Sequence, residues 1–168
     1  MKYKTNHIPH VKGVGFHHNF HKINETGLQQ AYNSEKKLHI DGDTLFIAGT
    51  ANKQDVWDDI SKIPFWGDVR KSQRYKDADD LLKGNPQIKK LVSHSLGGSV
   101  GLELQKQKSD KAFDVTTYGA PVVQLSSQKH KRFRHPGDPI SAFDSGAITL
   151  DTKEFTIDPL KHHSYKGY

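Results

Sequence analysis

Ile88-Lys89-Lys90-Leu91-Val92 runs into Ser93-His94-Ser95-Leu96-Gly97-Gly98 and then into the helix-compatible stretch Ser99 to Lys106. A short apolar run, a knot of small residues and a helix former in that order describe a strand that turns sharply into a helix. Such a nucleophile elbow holds a serine strained and exposed at its tip, with small neighbours that keep the turn free of clashes. The helix behind it aims unpaired N–H groups at the site, where they stabilise negative charge developing on a substrate oxygen. Ser95 is therefore the candidate nucleophile. In the pattern Gly-x-Ser-x-Gly the first glycine is replaced by Ser93, which is small but carries a Cβ.

Outward from the elbow, strands and helices alternate. Upstream, Lys37 to Ile40 and Thr44 to Ala48 flank Asp41-Gly42-Asp43 and predict two strands joined by a tight turn. Val56, Trp57 and Ile60 fall on one face of a helix over Gln54 to Ser61, and Tyr75, Ala78, Leu81 and Leu82 do so over Lys71 to Lys83, which stops at Gly84 and Pro86. Downstream, Asp114 to Tyr118 reads as a strand broken by Gly119-Ala120-Pro121, Arg132 to Arg134 as another, and Ala147 to Leu150 with Glu154 to Ile157 as a terminal hairpin. Residues 1–34 are weakly patterned, with a short helix expected over Leu28 to Tyr32. The alternation implies one α/β domain spanning residues 1–168, with a mostly parallel central sheet flanked by helices.

Composition sets the outer limits. At 168 residues with 33% apolar content, the chain builds one economical core. Its mean hydropathy of −0.77 leaves a strongly polar surface. No run approaches the roughly 18–20 apolar residues of a membrane span, and no apolar region follows Met1 to His10, so neither a transmembrane segment nor a secretory leader is expected. There is no cysteine, hence no disulfide framework and no thiolate metal site. The net charge of +6 and eleven histidines favour anionic partners. The densest basic stretch, Lys129 to His135, reads first as a solvated edge strand or loop and second as a docking patch for anionic headgroups, with nucleic acid a weaker fit. His7, His10, His17, His18 and His21 match no compact ligand spacing, and no metal site is expected there.

From about Leu45 onward the chain resembles a compact member of the class 3 (fungal-type) lipase family of α/β-hydrolases. The resemblance rests on Ala48-Gly49-Thr50 followed by Asp55-Val56-Trp57-Asp58-Asp59, on the elbow, and on Thr117-Tyr118-Gly119-Ala120-Pro121. It departs from the family pattern at Ala48, where the family often has arginine, at Ser93, and in overall length. It implies an α/β-hydrolase-like fold and a serine hydrolase acting on carboxylic esters, a lipase or phospholipase, with no metal or organic cofactor.

In α/β-hydrolases the acid and then the histidine follow the serine in sequence. Asp138, in His135-Pro136-Gly137-Asp138-Pro139-Ile140, matches the family segment that carries the acid; Asp144 and Asp151 keep the order without that segment. Lys161-His162-His163-Ser164-Tyr165 supplies the base, His163 by its resemblance to the endings of compact members and His162 as the alternative. His94, flanking the nucleophile, is expected to pack rather than act as the base. The oxyanion hole falls to the N–H groups of Leu96 and Thr50.

Ile63-Pro64-Phe65-Trp66-Gly67 lies where larger members carry a lid, and reads either as a loop pinned into the core or as an insertion into a lipid surface. The alternative function is an inert hydrolase-fold module that binds an anionic surface or forms part of a larger assembly. Compact relatives occur in viruses, so a virion-associated location stands beside a cytoplasmic one.

Overall fold

The computed structural model describes residues 14–50, 69–120, 131–134 and 148–149, and of these the side chains of all but 14–19, 134 and 148–149. Among the described residues three α-helices, α1 (Val14–Asn33), α2 (Gln73–Gly84) and α3 (Leu96–Gln107), and a short 3-10 turn at Val69–Lys71 accompany six strands. The strands are β1 (Leu38–Asp41), β2 (Thr44–Ile47), β3 (Lys90–His94), β4 (Asp114–Tyr118), β5 (Lys131–Arg134) and β6 (Ile148–Thr149). They form one sheet in sequence order, β1 antiparallel at the edge and β2 to β6 all parallel. This is the mostly parallel, helix-flanked α/β sheet that the alternation implies.

The sheet's two faces follow from the two-residue period of strands. Leu38, Leu45, Ile47, Leu91 and Val115 point to one face and pack with Ala78 and Leu82 of α2 and Val100 and Leu104 of α3. Phe46, Ala48, Val92 and Tyr118 point to the other and pack with Leu28 and Ala31 of α1. Parallel neighbours joined by right-handed crossovers must place the connecting helices on one side. That is why α2 and α3 share a core and α1, which precedes the sheet, closes the opposite face.

The β1–β2 hairpin turns at Gly42, whose φ of 56° favours glycine. The elbow strand is displaced from its expected span: β3 begins at Lys90 and runs to His94, directly into Ser95. Ile88 lies before it yet remains in the core, 3% exposed. The N-terminal region departs most from expectation, since α1 runs 20 residues where only Leu28 to Tyr32 suggested a helix. Its inward stripe is Asn24, Leu28 and Ala31, flanked by half-buried His21 and Tyr32, so the helical spacing is present but half of it is written in polar residues.

Lys131 to Arg134 is also reassigned. β5 lies between β4 and β6, an interior strand rather than a solvated edge, and Arg132 is 8% exposed. In the terminal hairpin, Ile148–Thr149 pairs parallel to β5; its expected second strand falls outside the described residues. So do the helix over 54–61 and the aromatic loop with Phe65 and Trp66.

Candidate active site

In an open parallel sheet the carboxyl ends of the strands border the usual ligand crevice, and here those of β2, β3 and β4 lead into Ala48-Gly49-Thr50, Ser95 and Gly119-Ala120. Ser95 has φ 55° and ψ −130°, outside the left-handed helical well and costly for a residue with a Cβ. Two hydrogen bonds and the helix that follows hold it there. Its N–H donates to the Tyr118 carbonyl (2.9 Å), its carbonyl accepts from Gly98 N–H (2.8 Å), and the next residue begins α3. Ser95 stands at the N-cap position without making a side-chain cap bond. Leu96, first in the helix, has no intrahelical partner for its N–H, which is the condition for an oxyanion donor.

The turn closes only because glycines face it. A Cβ on Gly97 would collide with the Ile47 carbonyl oxygen, and one on Gly98 with the Ala120 side chain, so α3 starts pressed against the ends of β2 and β4. A Cβ on Gly49 would stand 2.7 Å from Ser95 Cβ and 3.2 Å from Ser95 Oγ. The backbone of the expected oxyanion loop thus lies against the expected nucleophile.

Ser93 has its own accommodation. It points toward α3, fully buried, and the position a Cβ would take on Gly101 is 2.8 Å from Ser93 Oγ. The volume that a glycine two residues before the nucleophile would leave open is restored from the helix side by Gly101. Ser93 pairs in register with Thr117, and Thr117 with Arg132, giving a polar row beneath α3. Among the described residues Ser93 Oγ and Thr117 Oγ1 are buried with no hydrogen-bond partner.

On the α1 side, His94 is 2% exposed, with Nδ1 2.6 Å from Tyr32 Oη and the two rings edge to face. It packs against α1. Tyr32 Oη also accepts from Gly49 N–H at 3.1 Å, which ties the helix to the oxyanion loop. Farther along α1, Asn24 Nδ2 donates to Tyr118 Oη and His21 Nδ1 lies at hydrogen-bond distance from it, each at 2.8 Å. Burial raises the Tyr118 phenol to a pKa of about 12, partly opposed by the Asn24 bond. From the other face Arg74, in the first turn of α2, donates through Nη1 to the carbonyls of Ala48 and Gly49. The start of α2 is fixed by Ser72, whose Oγ accepts from Tyr75 N–H at 3.2 Å.

Ser95, Leu96 and Thr50 therefore fall within the described structure; Asp138, His162, His163, Asp144 and Asp151 fall outside it. Sequence reasoning passed over Tyr32 and Arg74. Neither leaves a periodic or motif signal in the sequence: Tyr32 acts through its hydroxyl and Arg74 through bonds to loop carbonyls. Of the basic stretch, Arg132 is interior, while Lys131 is exposed and lies 3.3 Å from Asp114. Among the described residues no group of three histidines and carboxylates is placed to hold a metal ion, and no helix is long and apolar enough to cross a membrane.

Compared with protein-family models, curated proteins and solved structures, the chain matches none. The fold and site define an α/β protein with a mostly parallel sheet and a serine held in a forced strand-to-helix turn at its carboxyl edge.

Proposed function

We propose that the protein is a serine hydrolase of carboxylic esters, most concretely a lipase or phospholipase of compact α/β-hydrolase type. The observation that carries this reading is the backbone of Ser95. A non-glycine residue held at φ 55°, ψ −130° costs on the order of 1–3 kcal/mol, and the strain has a use if the hydroxyl must stand at a helix N-terminus beside a second N–H-bearing loop.

In this scheme Ser95 Oγ attacks the acyl carbonyl while His163 takes its proton, and Asp138 orients the imidazole and stabilises its charged form. The oxyanion is held by the N–H groups of Leu96 and Thr50. His163 then protonates the leaving alcohol, and water, activated by the same histidine, releases the acyl group. No step calls for a metal or organic cofactor. Asp138 follows β5 in sequence and His163 comes later, the order such triads keep.

The test is hydrolysis of p-nitrophenyl esters and phospholipid vesicles, together with covalent labelling by a fluorophosphonate. Ser95→Ala is expected to abolish labelling and to lower turnover by about 10⁴-fold or more; retained turnover overturns the reading. Salt-sensitive vesicle binding with no labelling of the wild-type protein supports the inert module instead.

A further inference from the structure

We propose that Arg74 is the positioning residue of the oxyanion loop, acting through the Gly49–Thr50 peptide without touching substrate; the proposal rests on the reading of Ser95 as nucleophile. As β2 ends at Ile47, the carbonyls of Ala48 and Gly49 leave the sheet ladder. Successive carbonyls of an extended strand point to opposite sides. These two converge on one atom, Arg74 Nη1, the Gly49 carbonyl at 3.1 Å.

The two amide groups on the near side are held as well: Ala48 N–H donates to the Lys37 carbonyl at 3.0 Å and Gly49 N–H to Tyr32 Oη at 3.1 Å. The loop is thereby clamped between α2 on one face of the sheet and α1 on the other. In a trans peptide the C=O and the following N–H point in opposite directions. Anchoring the Gly49 oxygen on Arg74 therefore fixes the direction of the Thr50 N–H, the donor assigned to the oxyanion. Gly49 itself sits against Ser95, leaving no room for a Cβ between them, so the anchored peptide lies beside the nucleophile.

Arg74 has a second effect through the same bond. A cation donating to a peptide oxygen polarises that peptide and strengthens its N–H as a donor. Both effects matter most when the substrate carbonyl becomes an oxyanion, and little when the neutral ester binds. Ala48 is buried on the α1 side, so the guanidinium reaches its carbonyl from the opposite face of the sheet.

The experiment compares wild type, Arg74→Met and Arg74→Lys with p-nitrophenyl butyrate as substrate, alongside fluorophosphonate labelling and thermal melts. Arg74→Met is expected to lose about 100-fold in kcat, at the lower end of what one oxyanion donor contributes, with KM changed less than about 3-fold. Arg74→Lys, which keeps a cation and a donor but not the planar fork, is expected to recover about 10- to 30-fold of that loss. A purely structural role would lower the melting temperature and the active fraction without this pattern of kcat loss and rescue.

A folded Arg74→Met with wild-type kcat, or one whose loss lies in KM, overturns the proposal. If Arg74→Met does not fold, Arg74→Lys decides: a kcat reduced about 3- to 10-fold at unchanged KM supports it, and an unchanged kcat overturns it. A wild-type protein that neither labels nor hydrolyses the ester ends the nucleophile reading, and this proposal with it. A labelled, active wild type with indifferent Arg74 variants ends this proposal alone.

Discussion

Ser95 carries a conflict between stability and placement that two substitutions can separate. Ser95→Ala and Ser95→Gly both remove the hydroxyl, but only glycine relieves the cost of a Cβ at φ 55°. Ser95→Gly is expected to be more stable than Ser95→Ala by about 1–2 kcal/mol in urea denaturation, while neither labels with fluorophosphonate. Equal stabilities would mean that the turn is relaxed. Two residues upstream, Ser93 and Gly101 form a matched pair across the strand–helix contact, separated by 2.8 Å once a Cβ is placed on the glycine. In an unobstructed helix Gly→Ala gains about 1 kcal/mol, whereas overpacking costs about 1–3 kcal/mol. Gly101→Ala is therefore expected to destabilise the wild-type protein and to stabilise the Ser93→Gly variant, a change of sign that a denaturation double-mutant cycle reads directly.

At the scale of elements, the parts that sequence reveals are those whose buried residues are apolar. α2 and β2 are legible because Ala78 with Leu82 and Leu45 with Ile47 repeat with the period of their own element, β1 because the Asp41-Gly42-Asp43 turn joins it to β2, β3 because Leu91 and Val92 form a short apolar run, and β4 because Gly119 breaks it sharply. The elbow was legible as well, since its small residues serve a local turn. α1 was largely hidden because its inward positions include His21 and Asn24, whose partner Tyr118 lies far along the chain, and Gly27, which ordinarily argues against a helix. β5 misled for the same reason: Arg132 reads as surface, yet its register beside Thr117 takes it inside. Arg74 was silent because a hydrogen bond to loop carbonyls leaves no periodic trace. Gly27 shows what tertiary contact demands against local preference. A Cβ there would enter the buried Phe46 ring, so α1 lies directly on β2. Gly27→Ala, which helix propensity alone would make favourable, is expected to destabilise by about 1–3 kcal/mol, measured as a lower urea midpoint at unchanged slope; a raised midpoint would show that α1 does not approach the sheet this closely.

Across the whole molecule the two faces of the sheet are closed by different chemistry, and this gives the protein a characteristic response to alkali. α2 and α3 close their face with aliphatic side chains of their own, over a sheet surface that is aliphatic except for the buried row of Ser93, Thr117 and Arg132. α1 adds to Leu28 and Ala31 a set of polar ties, Tyr32 to His94 and His21 with Asn24 to Tyr118, while Phe133 stacks on the Tyr118 ring. Tyr118 is 2% exposed and its phenol is raised by burial to about 12, from an ordinary value of 10.0. Below pH 10 the phenol is protonated in both folded and unfolded chains and its contribution is constant. Between about pH 10 and 12 the unfolded chain releases the proton first, so stability falls as pH rises, by roughly 2–3 kcal/mol in all, and the contribution levels off above the folded value. Tyr75 is raised too, by burial first and then by Asp79 and Glu103, so only a difference isolates Tyr118. Tyr118→Phe is expected to be less stable at pH 7 by about 1–3 kcal/mol, because the Asn24 amide loses a buried acceptor. Its stability should then decline less steeply than that of the wild type from pH 10 to 12. Urea denaturation of both proteins across that range provides the check, and parallel curves would mean that Tyr118 ionises in the folded protein as readily as in the unfolded one.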